Sequence, residues 1–234
     1  MKMKDKKAEQ IEAKKKHKEQ LKINRRTAPI LDRPEPTLTE KPTILIVCEG
    51  ENTEPTYFKQ FRLSSATIKS VGVGYNTISL VNRAIQMASQ RAYEQVWCVF
   101  DKDDFPDVDF NDAILLAETN NIRVAYSNQA FEYWIILHLE DHQGGGMHRK
   151  DYNGKINKLL KPYNLTYDGT KNKIITKHIF EFLDSIDEKT QKERKIMAIE
   201  RAKRNLNKFD RTNPAKAEST TTVFRLVEEL LRYI

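Results

Sequence analysis

The run Val96-Trp97-Cys98-Val99-Phe100 is apolar throughout and is closed at once by Asp101, Asp103 and Asp104. A short run rich in β-branched and aromatic side chains reads as a buried strand. Buried strands of this kind belong to sheets covered on both faces, which place ligands at the edge where the strands end. Carboxylates this close repel one another: at ~4 Å and an effective dielectric near ~20, a like-charge pair costs roughly 4 kcal/mol before screening. A divalent cation or a proton relieves the repulsion, and oxygen-only ligands suit Mg²⁺ or Mn²⁺. An acidic turn after a strand accounts for the same residues by ordinary turn chemistry.

The flanking sequence repeats the pattern of apolar strand followed by helix. Thr43–Cys48 is a continuous apolar strand ending at Glu49-Gly50, and Thr53 stands where it can cap a helix through Tyr57, Phe58 and Phe61. A short strand near Thr67–Val71 and a turn over Gly72–Gly74 follow. Ile78, Val81, Ile85 and Ala88 then fall at helical spacing over residues 77–93. Beyond the acidic strand, a helix is expected near 109–120, a strand over Ile122–Tyr126, and a helix from Gln129 to about Glu140 capped by Ser127-Asn128. The alternation specifies an α/β fold, a mainly parallel sheet flanked by helices. Gly144–Gly146 marks a loop, and residues 150–234 read as a helical C-terminal region with helices near 151–161, 174–187, 189–208 and 219–233.

Residues 1–28 hold eleven Lys/Arg against four Asp/Glu and almost no apolar side chains, a basic arm unable to bury a core of its own. Residues 29–42, with Pro34, Pro36 and Pro42, read as a linker. The net charge of +7 is uneven: residues 41–140 are acidic and residues 141–234 basic. A protein acting on a polyanion needs that division, although a lysine-rich solvated surface produces it too. No apolar run has the length of a membrane span, and the basic N-terminus lacks the apolar stretch of a secretory signal. Cys48 and Cys98 lie inside apolar strands with no zinc spacing, so a reducing cytoplasm is the expected compartment. There is no phosphate-binding loop of the P-loop type.

In a parallel sheet every strand ends on the same edge. Glu49, Asp101 and Asp103 are thus expected together despite their separation in sequence, with Glu132 opening toward the same edge and Asp104 beside it. Such a set is suited to one or two divalent cations at a phosphodiester, with Glu49 as an alternative acid or base because neighbouring carboxylates raise its pKa. Lys195, Arg201 and Arg204 offer a phosphate-binding face, or else a solvated helix surface. His138 is either an auxiliary group or a capped core histidine.

A strand ending in Glu-Gly, a helix, and a strand ending in D-x-D resembles the Toprim domain of topoisomerases, bacterial primases and OLD-type nucleases. More closely, Val47-Cys48-Glu49-Gly50-Glu51-Asn52-Thr53-Glu54-Pro55-Thr56-Tyr57-Phe58 resembles the RloB family, as does Ser127-Asn128-Gln129-Ala130-Phe131-Glu132-Tyr133-Trp134-Ile135-Ile136-Leu137-His138. The likeness extends more weakly to Thr221-Thr222-Val223. It implies a protein of bacterial restriction or abortive-infection loci, often encoded beside an AAA-type ATPase. Glu49 matches the Toprim glutamate, Asp101 and Asp103 its metal-binding pair; Asp104 has no fixed counterpart.

The expected function is that of a Mg²⁺-dependent nuclease of phage defence, acting on RNA (tRNA included) or DNA, with an ATPase partner and a homo-oligomer as further expectations. A non-catalytic nucleic-acid-binding or sensor subunit of an ATPase complex is the alternative. A phosphoryl transferase or nucleotide-binding enzyme on a Rossmann-like sheet is disfavoured by the missing glycine-rich turn. Because the arm's Lys/Arg can only contact phosphates, deleting residues 1–28 is expected to weaken nucleic-acid binding and flatten its salt dependence, with the maximal cleavage rate nearly unchanged. Binding unchanged across a salt series would assign the arm to another task.

Overall fold

The computed structural model describes residues 11–22, 41–70, 77–104, 106–210 and 212–234. The linker expected over 29–42 lies outside them up to residue 40, as do the Gly72–Gly74 turn, Val71 and the rest of the basic arm. The chain divides into two units, Met1–Glu40 and Lys41–Ile234. In the first, residues 11–22 form a helix (α1) with every residue exposed.

The second unit is built on four strands: β1 (Ile44–Cys48), β2 (Ala66–Ser70), β3 (Gln95–Lys102) and β4 (Arg123–Asn128). They pair in the order β2-β1-β3-β4, all parallel. Helices α2 (Thr53–Lys59), α3 (Thr77–Gln90), α4 (Asp107–Thr119) and α5 (Glu132–Leu139) alternate with them. The C-terminal region adds α6 (Arg149–Leu160), α7 (Lys177–Asp184), α8 (Arg194–Leu206) and α9 (Val223–Leu231). No helix among the described residues is long and apolar enough to cross a membrane.

Period-two alternation along the strands divides the core in two. Ile44, Ile46, Cys48, Trp97, Val99 and Ala125 face one layer, shared with α2 and with the C-terminal helices from α5 onward. Leu45, Val47, Val96, Cys98, Phe100 and Tyr126 face the other, packed on α3 and α4. Both faces are dry, so β1 is buried at every residue, as a doubly covered parallel sheet requires. Because the first layer includes Ile156, Ile179, Ala198 and Val227, the C-terminal helices share the core of the sheet.

Two expected caps take other forms, and the last helix starts later than expected. Thr53 lies within α2, and its hydroxyl meets that of Tyr167 at 3.2 Å. The Thr56 hydroxyl instead donates to the Asn52 carbonyl at 2.6 Å. Ser127 and Asn128 still belong to β4; Gln129 has a left-handed φ of 74°, and the helix starts only at Glu132. Ser219 and Thr220 do not open the last helix. They precede a segment that returns antiparallel to β4, with Ser127 opposite Thr221. The Asn128 N–H donates to the Thr220 carbonyl and the Thr222 N–H to the Tyr126 carbonyl, each at 2.8 Å.

Along this seam the Tyr126 N–H donates to the Thr222 hydroxyl at 2.8 Å, inside the core. Thr222→Val keeps the shape and removes that acceptor. Leaving a buried N–H unpaired costs about 1–3 kcal/mol, so the variant is expected to lose stability by that amount in urea unfolding. A midpoint equal to wild type would show that Tyr126 has another acceptor.

Candidate active site

The edge at which β1 and β3 end carries the carboxylates. The Glu49 N–H donates to the Val99 carbonyl at 2.9 Å, continuing the β1–β3 ladder by one residue. The Glu49 side chain then reaches across to β3, where Oε2 accepts the Asp101 N–H at 3.2 Å. Asp103, past the end of β3, faces Arg149 at 3.6 Å. Lys102 points elsewhere, binding Asp107 at 3.2 Å and the Asp103 carbonyl at 2.9 Å.

Glu132 opens α5 at the same edge and accepts a hydrogen bond from the Tyr167 hydroxyl at 2.8 Å. Tyr167 also meets Thr53, so one buried phenol ties α2 to α5. Burial, with the neighbouring Glu132, pushes its hydroxyl well above the usual tyrosine range. A phenol held this firmly protonated keeps its hydrogen for the carboxylate.

Glu54, in the first turn of α2, is a fifth member that sequence reasoning passed over. It is 5 % exposed and turns back beneath Gly50, where a Cβ would collide with its carboxyl group. Burial raises Glu54 to about 7, opposed by a hydrogen bond from its own backbone and reinforced by Glu132 and Glu49. Burial likewise raises Glu49 to about 7, opposed by the Asp101 N–H and Arg149 and reinforced by Asp103. Asp101 is raised well above the ordinary aspartate value by burial and by Glu54, Glu132 and Glu49. The crowding expected at the acidic turn therefore falls on Asp101, Glu49 and Glu54, while Asp104 is exposed.

Every donor in this set is oxygen, the chemistry that Mg²⁺ or Mn²⁺ takes. Among the described residues no three His, Cys, Asp or Glu side chains are arranged to enclose a metal ion. Mg²⁺ does not ask for an enclosure: it keeps several waters and binds one or two carboxylates together with substrate phosphate. The donors fit it on those terms.

The other expected residues lie elsewhere. His138 is in the core, 1 % exposed, with Nδ1 2.9 Å from the Trp134 carbonyl; burial drops its pKa to about 3. The phosphate face expected on α8 is taken up by contacts within the protein. Lys195 is buried, pairs with Asp184 and lies over the Phe61 and Phe180 rings. Arg201 donates to the Leu137 carbonyl at 2.7 Å, and Arg204 to Asp141 at 2.5 Å. The helix that looks most basic in sequence thus serves as a strut. The cations at the carboxylate edge come from after the Gly144–Gly146 loop: Arg149 and Lys150 in α6, and Lys173 beyond it, on a cleft of about 340 Å³ that Glu132 and Asp104 also line. The glycine loop marked the break in the sequence, but nothing marked where the chain would return.

The family model described as RloB-like protein matches residues 44–230. The chain belongs to the RloB-like family. The matched span takes in the sheet, the carboxylate edge and most of the C-terminal helices. No curated protein and no solved structure matches the chain.

A carboxyl whose pKa is higher folded than unfolded holds its proton more tightly in the folded state. The stability linked to that proton is present below the ordinary value of 4.5 and is lost as pH rises toward 7, for Glu49 and Glu54 alike. In EDTA the melting temperature is expected to fall across that interval, and Glu54→Gln to flatten the fall. A slope identical to wild type would take Glu54 out of the interacting set.

Proposed function

We propose that this RloB-like protein is a metal-dependent nuclease of bacterial phage defence, hydrolysing phosphodiester bonds in nucleic acid. The observation that carries the reading is the gathering of Glu49, Asp101, Asp103 and Glu132 on one sheet edge beside cationic side chains. Carboxylates turned toward a polyanion are unfavourable unless a cation joins them. Asp101, Asp103 and Glu49 would hold Mg²⁺ or Mn²⁺, with Glu132 and Asp104 at its margin. Such an ion, when bound, polarises a phosphoryl oxygen and acidifies its water.

The chain's own groups supply orientation and proton handling. The Asp101 N–H fixes the Glu49 carboxyl through Oε2, and a pKa of about 7 lets that group take up or release a proton at neutral pH. Tyr167 holds the Glu132 carboxylate by its Oε1. Arg149, 3.6 Å from Asp103, offsets part of the negative charge until substrate arrives. RNA, tRNA among it, and DNA are both compatible with this chemistry, and an AAA-type ATPase is the proposed partner. A second reading, a nucleic-acid-binding subunit without chemistry, draws on the absence of a metal enclosure among the described residues.

Purified protein incubated with plasmid, single-stranded DNA and total tRNA is expected to cleave one of them with Mg²⁺ or Mn²⁺ and none with EDTA. Asp101→Asn and Asp103→Asn are each expected to lower the rate by at least about 100-fold, the scale on which a group that acts in the transition state is felt. Both should remain folded. Mg²⁺ should raise the melting temperature of the wild type more than that of either variant. Full cleavage by both variants would defeat the nuclease reading and leave the binding-subunit one.

A further inference from the structure

The cleft beside the carboxylate edge brings three cationic side chains together and is shaped by two structural devices. Its wall carries Arg149 and Lys150 from the first turn of α6, with His148 at the start of that helix, and Lys173 from the loop beyond. Lys173 is set in place by a tight turn. Its N–H donates to the Asp168 carbonyl at 2.7 Å, and its own φ is 50°, a left-handed conformation that lysine rarely adopts. The Asp168 carboxylate accepts the N–H groups of Thr170, Lys171 and Asn172, which holds its pKa down to about 2. The turn is pinned again where the Gly169 N–H donates to the Asn153 side chain of α6 at 3.0 Å. Lys173 is therefore held against the same helix that supplies Arg149 and Lys150.

Tyr152 also lines the cleft and is 1 % exposed. Its hydroxyl is buried without a hydrogen-bond partner. Asp104 and Glu132 line the cleft as well, so it opens onto the carboxylate edge.

We propose that this cleft is a phosphate-binding subsite, which takes a backbone phosphate of a single-stranded polynucleotide next to the phosphate at the carboxylates. Arg149, Lys150 and Lys173 supply the positive charge, and Arg149 links the two positions through Asp103. A space of about 340 Å³ is on the scale of one nucleotide unit rather than a base pair, which favours an unpaired strand. The assignment deepens the nuclease reading by naming its substrate class, yet binding alone can test it.

The experiment measures binding of a short fluorescein-labelled single-stranded oligonucleotide, as DNA and as RNA, over a salt series in EDTA. The full-length wild type is compared with Lys150→Gln/Lys173→Gln and with Lys158→Gln/Lys161→Gln, which removes the same charge from the last turn of α6 and the residue after it. The cleft variant is expected to bind at least about tenfold more weakly, its salt slope falling by about 0.7 for each phosphate that it no longer neutralises. The control is expected to bind like wild type, and all three to melt alike. A labelled duplex should bind less tightly than the single strand.

Equal weakening in both variants, unchanged binding by the cleft variant, or a duplex preferred over the strand would each overturn the subsite, as would a wild type that binds no oligonucleotide. Cleavage by the wild type in Mg²⁺ is read separately. A cleft variant that binds poorly, from a wild type that never cleaves, would keep the subsite and remove the nuclease. A wild type that cleaves, with a cleft variant that binds normally, would do the reverse.

Discussion

The parallel register of β1 against β3 commits this chain to an electrostatic problem. Once Cys48 lies opposite Val99, the next residue of β1 has to leave the sheet beside Asp101. A backbone N–H accepted by Glu49 helps orient the pair, but it does not remove the repulsion, and Glu54 and Glu132 add to it. Burial at this edge raises three carboxyl groups together. A sheet edge of that kind is tolerated where a proton or a cation shares it, and the surrounding elements are arranged accordingly. Lys102, the residue best placed to neutralise the edge by simple proximity, is turned to Asp107 instead.

Around this edge the C-terminal region acts as scaffolding. Arg201 satisfies a carbonyl near the end of α5, where the helix has no intrahelical donors left to offer. Arg204 and Asn205 hold the residues after α5 through the His142 carbonyl. Lys195 is packed between aromatic rings. These contacts fix α5, and α5 fixes Glu132. Charge on a helix that appears ready for a polyanion is used here to hold backbone in place, while the cations that reach the edge come from a loop and a helix start.

The sheet was legible in the sequence because each strand is a short apolar run between polar breaks, and because the alternation with helices admits few topologies. Glu49, Asp101 and Asp103 could be brought together on that basis alone, since parallel strands end on one side. The caps were less legible. Thr53 and Ser127-Asn128 have the composition of helix starts, but tertiary partners claimed their side chains: Tyr167 for Thr53, and Thr221 for Ser127. Glu54 carried one readable sign, a glycine four residues earlier that leaves room for its carboxyl group. Tyr167, Arg149 and Lys173 carried none, because their place depends on the path of the chain after the glycine loop. Lys195, Arg201 and Arg204 show that a basic helix face cannot be told from a strut until its neighbours are known.

The antiparallel return at Thr220–Thr222 also bears on how the molecule is made. The residue that borders the end of β4, Thr221, is synthesised 94 residues after its partner Ser127. A nascent chain emerging from the ribosome can pair β1, β2 and β3 early, but the outer border of β4 stays open until Thr220–Thr222 have been made. The phenol that steadies Glu132 arrives late as well. Assembly of the acidic edge is thereby tied to synthesis of the C-terminal region, so a product terminated before it lacks the pieces that hold the edge in register.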